Sequence, residues 1–401
     1  MSESFASSLH PSIQFYRFLG SKVLTAISLN SFIIFFMWDI VVRYHSVFLA
    51  GMIITIYLAV SLLLSFPIGH MIDRFNNTLL NFISSIVLLP CFGILFLGES
   101  LVFIYFATVL LVFAQTFKID SFSAIIKKHV PEASFKKANS LTFATTSASS
   151  LIGTLLGGLS IIYLQNLFIY LLLAVAITSI FLSFPTEETR IARKEGETIL
   201  KEVKETGSFL RSIAGLLLLA FFLNGLFISL DTYSSGLFNI VLKSSPVYYT
   251  AFSMAVPSGM MLGTPMANIN YFKKDRPLAI AFMIILFSPL IFVLAFNRLP
   301  IVDVFDAFAI GFILPIINIP IITKLMKAVP HEIYGKVMAL LKIFTGGASP
   351  VMGAVFSTMA LFFGIPFVLF WVSVLVVPLT IYSIRIMPRF FKLGSGGPEY
   401  R

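Results

Sequence analysis

The chain has 401 residues, of which 58% are hydrophobic and only 11% are charged, and its mean hydropathy is +0.96. Soluble domains carry roughly 25% charged residues, so this composition excludes a globular protein dissolved in water. The net charge of +10 fits contact with anionic lipid at one membrane face and gives no reason to expect a nucleic-acid partner. A single cysteine, Cys91, excludes an intrachain disulfide and a cysteine-based metal cluster, and we expect no cofactor.

Apolar runs of about 20 residues recur along the chain, which is the length that crosses ~30 Å of hydrocarbon as an α-helix. They predict an all-α polytopic membrane protein with twelve transmembrane helices. The predicted spans are 16–40, 47–69, 79–97, 101–126, 139–162, 163–184, 211–237, 247–269, 277–296, 301–325, 337–363 and 365–387.

The distribution of basic residues predicts the topology. If the N-terminus is cytoplasmic, only three of the 28 Lys and Arg residues fall on the outer side, namely Arg43, Lys243 and Arg298. Basic residues are retained on the cytoplasmic side of membrane proteins. We therefore expect a multi-pass protein of the cell membrane with both termini in the cytoplasm.

One polar segment, Thr186 to Phe209, alternates acids and bases and carries apolar residues on one helical face. It predicts an amphipathic linker on the inner membrane surface. The resulting organisation is an N-terminal six-helix half (1–184), the linker (185–210), a C-terminal six-helix half (211–388) and a cytoplasmic tail (389–401).

Two loops indicate that the halves arose by internal duplication. "VPEASFKKANSL" before span 5 and "VPHEIYGKVMAL" before span 11 lie 199 residues apart, at half-chain spacing. Such repeats are a common way of building transporters.

The stretch "SFPIGHMIDRFNNTLLNF" interrupts the apolar runs between spans 2 and 3 with Gly69, Asp73, Arg74 and Asn76. It resembles the loop signature Gly-x-x-x-Asp-Arg-x-Gly-Arg of the major facilitator superfamily, with Asn76 and Asn77 in place of its second glycine and last arginine. Asn tolerates left-handed backbone, so we expect Asn76 to keep the turn. The resemblance implies two pseudo-symmetric six-helix bundles and an inner gate in which this loop is a latch.

A second resemblance lies in the passage from span 4 to span 5. "SFSAIIKKHVPEASFKKANSL" followed by "SSLIGTLLGGLS" looks like the drug-exporter branch that includes macrolide-efflux-type permeases. Span 5 carries part of a glycine-rich antiporter motif, without its proline, and glycines at this spacing are also generic helix-packing residues. They are Gly153, Gly157 and Gly158.

Charges inside spans are costly and indicate function. Away from the span ends they are Lys22, Lys118, Asp120, Asp231, Asp303, Asp306 and Lys342. Six of these seven fall on spans 1, 4, 7 and 10, which line the cavity in the superfamily. We expect Lys118 and Asp120 to form a local ion pair.

Four acidic residues lie toward the outer ends of their spans, namely Asp39, Asp231, Asp303 and Asp306. A carboxyl group that takes up a proton in one gate state and releases it in the other can couple transport to protons. Our first candidate is Asp231 and our second is Asp306, expected to face each other across the halves. The same residues also fit a hydrated rim that contributes only to topology.

Isolated polar groups in phenylalanine-rich spans favour an amphiphilic substrate over a sugar. They are Asn30, Gln115, Asn224 and Asn318. The predicted function is a monomeric, non-enzymatic secondary transporter that exports small amphiphilic compounds in exchange for protons. The alternatives are an uptake symporter for a small organic solute, a transporter-like receptor, and an intramembrane enzyme that uses Asp303 and Asp306 to bind a metal-diphosphate.

Overall fold

The structure is a computed structural model that describes residues 13–98, 100–130, 135–185, 199–267, 276–328 and 334–392. Every regular element in these ranges is helical, which confirms the all-α prediction. The helices are α1 Ile13–Tyr44, α2 Val47–Arg74, α3 Asn77–Gly93, α4 Leu101–His129, α5 Phe135–Leu159, α6 Phe168–Leu182, α7 Ile199–Gly236, α8 Pro246–Ala267, α9 in two segments Pro277–Ile284 and Phe287–Phe296, α10 Pro300–Ala328, α11 Tyr334–Phe363 and α12 Ile365–Lys392.

Each predicted span corresponds to one of these helices. Within the described ranges, 10 segments are long and apolar enough to cross a membrane. The other two predicted spans are α6, a shorter apolar helix, and α8, which contains Pro257 and Pro265. A π-turn at Ser160–Leu164 and a 3₁₀ turn at Gln165–Leu167 connect α5 to α6.

The chain divides into two compact units. Unit 1 comprises Met1–Arg43 and Ile56–Ala192, and unit 2 comprises Tyr44–Thr55 and Arg193–Arg401. The start of α2 therefore groups with α7 to α12, where a Cβ built at Gly51 would meet Ser357 and Thr232.

Part of the predicted linker is the start of α7. That helix begins at Ile199 and continues without interruption to Gly236, so residues 199–210 are not a separate helix. Residues 186–198 of the linker and 393–401 of the predicted tail lie outside the described residues.

The turns predicted to face the outer side are tight. The described non-glycine residues with positive φ are His45 (49°), Gln165 (38°) and Lys243 (48°), and each lies in or beside such a turn. Gly98 and Gly364, at the α3–α4 and α11–α12 turns, also have positive φ, a conformation that glycine adopts readily.

Unit 2 contains a helix contact in which backbone meets backbone. A Cβ built at Gly259 or Gly263 of α8 would collide with the carbonyl oxygens of Phe308 and Phe312 on α10. From the other side, a Cβ at Gly311 would collide with the carbonyl oxygen of Val256. Small residues allow such close approach in membrane proteins. We call this contact the α8–α10 seam.

Unit 1 contains a related contact between α1 and α5. A Cβ at Gly153 would lie 2.7 Å from the carbonyl oxygen of Ile27, and one at Gly157 would lie 2.6 Å from that of Ser31. The Ser31 hydroxyl also donates a hydrogen bond to the carbonyl oxygen of Gly153 (2.9 Å). We call this contact the α1–α5 seam. Gly158, the residue after Gly157, is also buried.

Candidate functional site

Helix α7 presents two exposed faces of opposite character. Leu218 and Phe222 are exposed on one side, with 48% and 37% of their surface accessible. Asn224 and Asp231 are also exposed, and because they are seven residues apart they share one helical face, roughly opposite Phe222. An exposed carboxyl group in hydrocarbon is costly. The face that carries Asn224 and Asp231 is therefore the one suited to water.

The outer half of α7 places further polar groups around Asp231. The Ser234 hydroxyl donates to the backbone carbonyl of Asp231 (3.0 Å), and the buried Tyr249 of α8 lies close enough for its hydroxyl to interact electrostatically with the carboxyl group. Among the described side chains, no cation pairs with Asp231. An acid in this setting can bind a proton or a cation without first breaking an ion pair.

Asp303 and Asp306 occupy the start of α10 but differ in their contacts. Asp303 is completely buried, and its Oδ1 accepts a hydrogen bond from the Asn297 side-chain nitrogen (2.8 Å). The Asn297 side-chain nitrogen also donates to the carbonyl oxygen of Leu299 (2.7 Å), and its Oδ1 accepts from the backbone nitrogen of Leu299 (3.2 Å). Asp303 therefore fixes the α9–α10 turn, whereas Asp306 lies half-buried one turn further along α10.

The relation expected between Asp231 and Asp306 was wrong. Both residues belong to unit 2, because spans 7 and 10 lie in the same half of the chain. They cannot face each other from opposite halves.

Asp39 has a local partner. Its Oδ1 accepts a hydrogen bond from Nε of Arg43 (2.7 Å), one turn along α1. Pairs at this spacing form readily on helix surfaces. This contact favours the interpretation of Asp39 as a residue of the outer rim.

The four polar candidates have different surroundings. Asn30 on α1 donates to the carbonyl of Ala26 and accepts from the Ser150 hydroxyl of α5 (3.4 Å). Gln115 on α4 is buried, and its Oε1 has no hydrogen-bond partner among the described residues. Asn318 on α10 and Asn224 on α7 are exposed. These positions keep all four available as candidates.

The gate motif is more helical than expected. Helix α2 extends to Arg74, so Gly69, Asp73 and Arg74 lie in its last turns rather than in a loop. The side chains of Asp73 and Arg74 fall outside the described part of the structure, and the latch stays a prediction.

Asn76 has a different role from the one expected. Its φ is −65° and its ψ is 119°, so the prediction of a left-handed conformation was wrong. Its Oδ1 accepts hydrogen bonds from the backbone nitrogens of Thr78 and Leu79 (2.9 and 3.1 Å). Asn is a preferred N-cap residue, and Asn76 caps α3.

The expected ion pair between Lys118 and Asp120 was also wrong. The ammonium group of Lys118 is completely buried and donates to the hydroxyl of Ser21 (2.7 Å), the backbone and side-chain oxygens of Asn81 (3.0 and 3.2 Å) and the hydroxyl of Ser85. Residues two apart point to nearly opposite sides of a helix, so Asp120 lies away from this group.

The hydroxyls around Lys118 also bind α6. Ser179 lies 2.8 Å from the Ser21 hydroxyl, and Ser183 donates to Ser85 (2.7 Å). We call Lys118 and these oxygens the Lys118 cluster; it joins α1, α3, α4 and α6. Sequence reasoning missed it, although serines at helical spacing in spans 3 and 6 were a visible signal.

The helices, their grouping into two units and the polar face of α7 together define a transporter-type membrane protein. Residues 19–354 match the sequence profile of the Major Facilitator Superfamily. Because this match covers most of the chain, the protein belongs to the Major Facilitator Superfamily. No sequence among the curated proteins matches the chain.

Three solved structures illustrate the shared fold. The nucleoside transporter NupG has a TM-score of 0.75 at 11% identity, covering 94% of this chain and 99% of its own. A bacterial homologue of the human lysosomal transporter Spinster, in an inward-facing and occupied conformation, has a TM-score of 0.70 at 15% identity, with coverages of 96% and 98%. A POT family transporter in complex with a thioalcohol-conjugated peptide has a TM-score of 0.75 at 12% identity, with coverages of 94% and 96%. At such identities the likeness establishes the fold alone.

Proposed function

We propose that the protein is a secondary active transporter that works by alternating access and couples the export of small amphiphilic compounds to protons. The observation that carries this proposal is the polar face of α7, where Asn224 and Asp231 are exposed opposite the apolar Leu218 and Phe222. A solute and a proton both need such a hydrated path through the span.

Asp231 is the proposed proton-coupling residue. It is exposed on the polar face, whereas Asp303 is bound to Asn297 and Asp39 to Arg43. A coupling carboxyl group has to gain and lose a proton without dismantling a turn or an ion pair. Asp306 is the second candidate because it lies next to Asp303 without sharing its bond to Asn297.

The proposed substrate class and the proposed direction of transport rest on features of the sequence. Isolated polar groups in phenylalanine-rich spans suit an amphiphile, and the passage from α4 to α5 resembles the drug-exporter branch. Close approach of α1 and α5 at Gly153 and Gly157 is compatible with that resemblance. The protein would act as a monomer in the cell membrane with cytoplasmic termini.

The inner gate is proposed to include Asp73 and Arg74 at the end of α2. An acid in this position can pair with a base or cap a neighbouring helix. Asp73→Asn should increase labelling of the cavity from the cytoplasmic side, and an unaltered labelling pattern would count against the latch.

The coupling proposal is tested in proteoliposomes with a pH-sensitive dye trapped inside. A panel of aromatic amphiphiles, containing matched carboxylates, alcohols and amines, is added under pH gradients of both orientations. We expect at least one compound to move with protons in the wild type, and Asp231→Asn to abolish driven accumulation while retaining binding. Asp39→Asn is the matched control and should remain coupled.

Two results would contradict the proposal. Unchanged driven accumulation in Asp231→Asn rejects Asp231 as the coupling residue. If no compound in the panel moves protons in the wild type, proton-coupled transport of amphiphiles is rejected. The orientation of the effective gradient distinguishes export by exchange from uptake by symport.

A further inference from the structure

Unit 1 contains two buried lysines with different surroundings. The Lys118 ammonium is completely buried and is surrounded by four oxygen atoms. Lys22 on α1 is also buried, with 8% of its surface accessible, yet its ammonium group makes one hydrogen bond, to the Thr146 hydroxyl of α5 (3.1 Å). Within the described residues, neither ammonium group contacts a carboxylate.

The hydrogen-bonding capacity of Lys22 is only partly used. A lysine ammonium has three donors, and the second contact of Lys22 is with the ring of Phe122, whose centroid lies 5.4 Å from Nζ. The Thr146 hydroxyl donates its own hydrogen bond to the carbonyl oxygen of Thr142 (2.8 Å). Two N–H groups of Lys22 therefore remain for an acceptor that the described residues do not supply.

The α1–α5 seam gives such an acceptor a place to bind. The helices are in backbone contact at Gly153 and Gly157, but at Lys22 they are bridged by the end of a long side chain. The closed part of the seam begins at Ile27, whose carbonyl oxygen faces Gly153, five residues along α1 from Lys22, or about 8 Å. Asn30 and Ser150 form a polar contact beside it. Ala26 lies between Lys22 and Ile27 on α1, and Thr146 is exposed. The seam is thus narrow at its glycine end and wider at its lysine end.

We propose that the wide end of the α1–α5 seam binds the negatively charged group of an amphiphile, with Lys22 as the charge-bearing residue. A carboxylate or phosphate oxygen supplies acceptors for the two N–H groups and balances a cation that is costly to bury alone. Asn30 and Ser150 provide polar contacts further along the seam. This inference rests on the proposed function and names anionic amphiphiles as its substrate class.

The test measures equilibrium binding to the purified full-length chain in nonionic detergent by isothermal titration calorimetry. The probes share one aromatic body and differ in charge: 2-naphthoate, 2-naphthalenemethanol and 2-naphthylmethylamine. We expect the wild type to bind the carboxylate about tenfold more tightly than the alcohol, as expected for one or two charge-assisted hydrogen bonds. Lys22→Gln should lose this preference, and Lys22→Arg should retain it.

A matched control separates the site from general surface charge. Arg17 lies five residues from Lys22 on α1, and its guanidinium contacts the carbonyl oxygen of Phe184 (3.5 Å) rather than α5. Arg17→Gln removes the same charge from the same helix and should keep the preference for the carboxylate. Thr146→Val is a second seam variant for the case in which Lys22→Gln cannot be purified. It removes the hydroxyl that holds the Lys22 ammonium at the seam, so we expect it to weaken carboxylate binding.

Three outcomes overturn the proposal: no carboxylate binding by the wild type up to the solubility limit, equal affinities of the wild type for the carboxylate and the alcohol, or a preference that survives Lys22→Gln. Where Lys22→Gln cannot be purified, unchanged carboxylate binding by Thr146→Val overturns it instead. Because the binding experiment uses no pH gradient, these failures would not decide the transport proposal, which the proteoliposome experiment tests separately.

Repeating the titration in nanodiscs distinguishes the source of the anion. Suppression by phosphatidylglycerol, compared with phosphatidylcholine alone, assigns the site to a lipid headgroup, and no suppression assigns it to a soluble amphiphile.

Discussion

The α8–α10 seam and the α1–α5 seam both use glycines, but among the described residues only the second has a buried lysine beyond them. In the α8–α10 seam, Gly259, Gly263 and Gly311 bring backbone against backbone over about two turns. In the α1–α5 seam, glycines close one end, and Lys22 and Thr146 meet at the other. The positions of the glycines thus determine where two helix backbones touch. The side chains that follow the glycines determine whether the backbones stay in contact along the helices.

This difference has a functional meaning for the two units. A seam without side chains leaves no room for a ligand and favours a pair of helices that move together. A seam that widens toward a buried cation can admit an anion. The apparent melting temperature of the protein in detergent distinguishes the two seams and the two buried lysines, and the effects expected for them decrease in the order Gly311→Ala, Gly153→Ala, Lys118→Met and Lys22→Met.

The largest effect is expected for Gly311→Ala in the α8–α10 seam. The new methyl group would meet the backbone of Val256, which cannot rotate away, so α8 and α10 have to separate. Overpacking of this kind costs roughly 1–3 kcal/mol, and we expect the upper end of that range. Gly346→Ala in α11 is the control because a Cβ there meets nothing within 4 Å. Equal melting temperatures for the two variants would contradict a closed seam.

A smaller loss is expected for Gly153→Ala in the α1–α5 seam. A Cβ there also approaches backbone, at 2.7 Å from the carbonyl oxygen of Ile27. Because the seam already opens toward Lys22, α1 and α5 can adjust, and we expect a cost of about 2 kcal/mol or less. Gly93→Ala, where a Cβ meets nothing within 4 Å, is the control. A larger loss than that of Gly311→Ala would reverse the comparison.

Replacement of the cluster lysine by an apolar side chain, Lys118→Met, should destabilise unit 1. It leaves the oxygens of Asn81 and the hydroxyls of Ser21 and Ser85 without their donor, and a buried unpaired polar group costs roughly 1–3 kcal/mol. Because the two hydroxyls keep contacts with Ser179 and Ser183, we expect a loss of about 1–2 kcal/mol. Lys243→Met, at the outer α7–α8 turn, serves as the control. A variant as stable as the wild type would show that the Lys118 cluster does not hold the four helices.

The smallest effect on stability is expected for Lys22→Met. This change removes one hydrogen bond and one ring contact, and we expect a loss of about 1 kcal/mol or less. The variant should melt well above Lys118→Met. A loss equal to that of Lys118→Met would mean that Lys22 is a structural cation, which weakens the case for an anion site.

Sequence reasoning was strong for the spans and weak for contacts between them. Apolar length predicted the twelve helices between residues 16 and 387, because the thickness of the hydrocarbon sets a minimum length for every span. The same patterns could not say that Gly311 meets Val256 or that Lys118 meets Ser21, since these contacts depend on which helices are neighbours. Asn76 shows a limit of local prediction, because asparagine fits both a left-handed turn and an N-cap. In the structure it caps the helix that follows.

Transport through the protein requires that the polar face of α7 lies along a water-filled path and that the opposite face does not. The direct test is cysteine labelling in a Cys91→Ala background, comparing Asn224→Cys with Phe222→Cys by reaction with a charged, water-soluble thiol reagent in membranes. We predict that Asn224→Cys reacts and Phe222→Cys does not. Equal labelling of the two, or labelling of Phe222→Cys alone, would contradict the account.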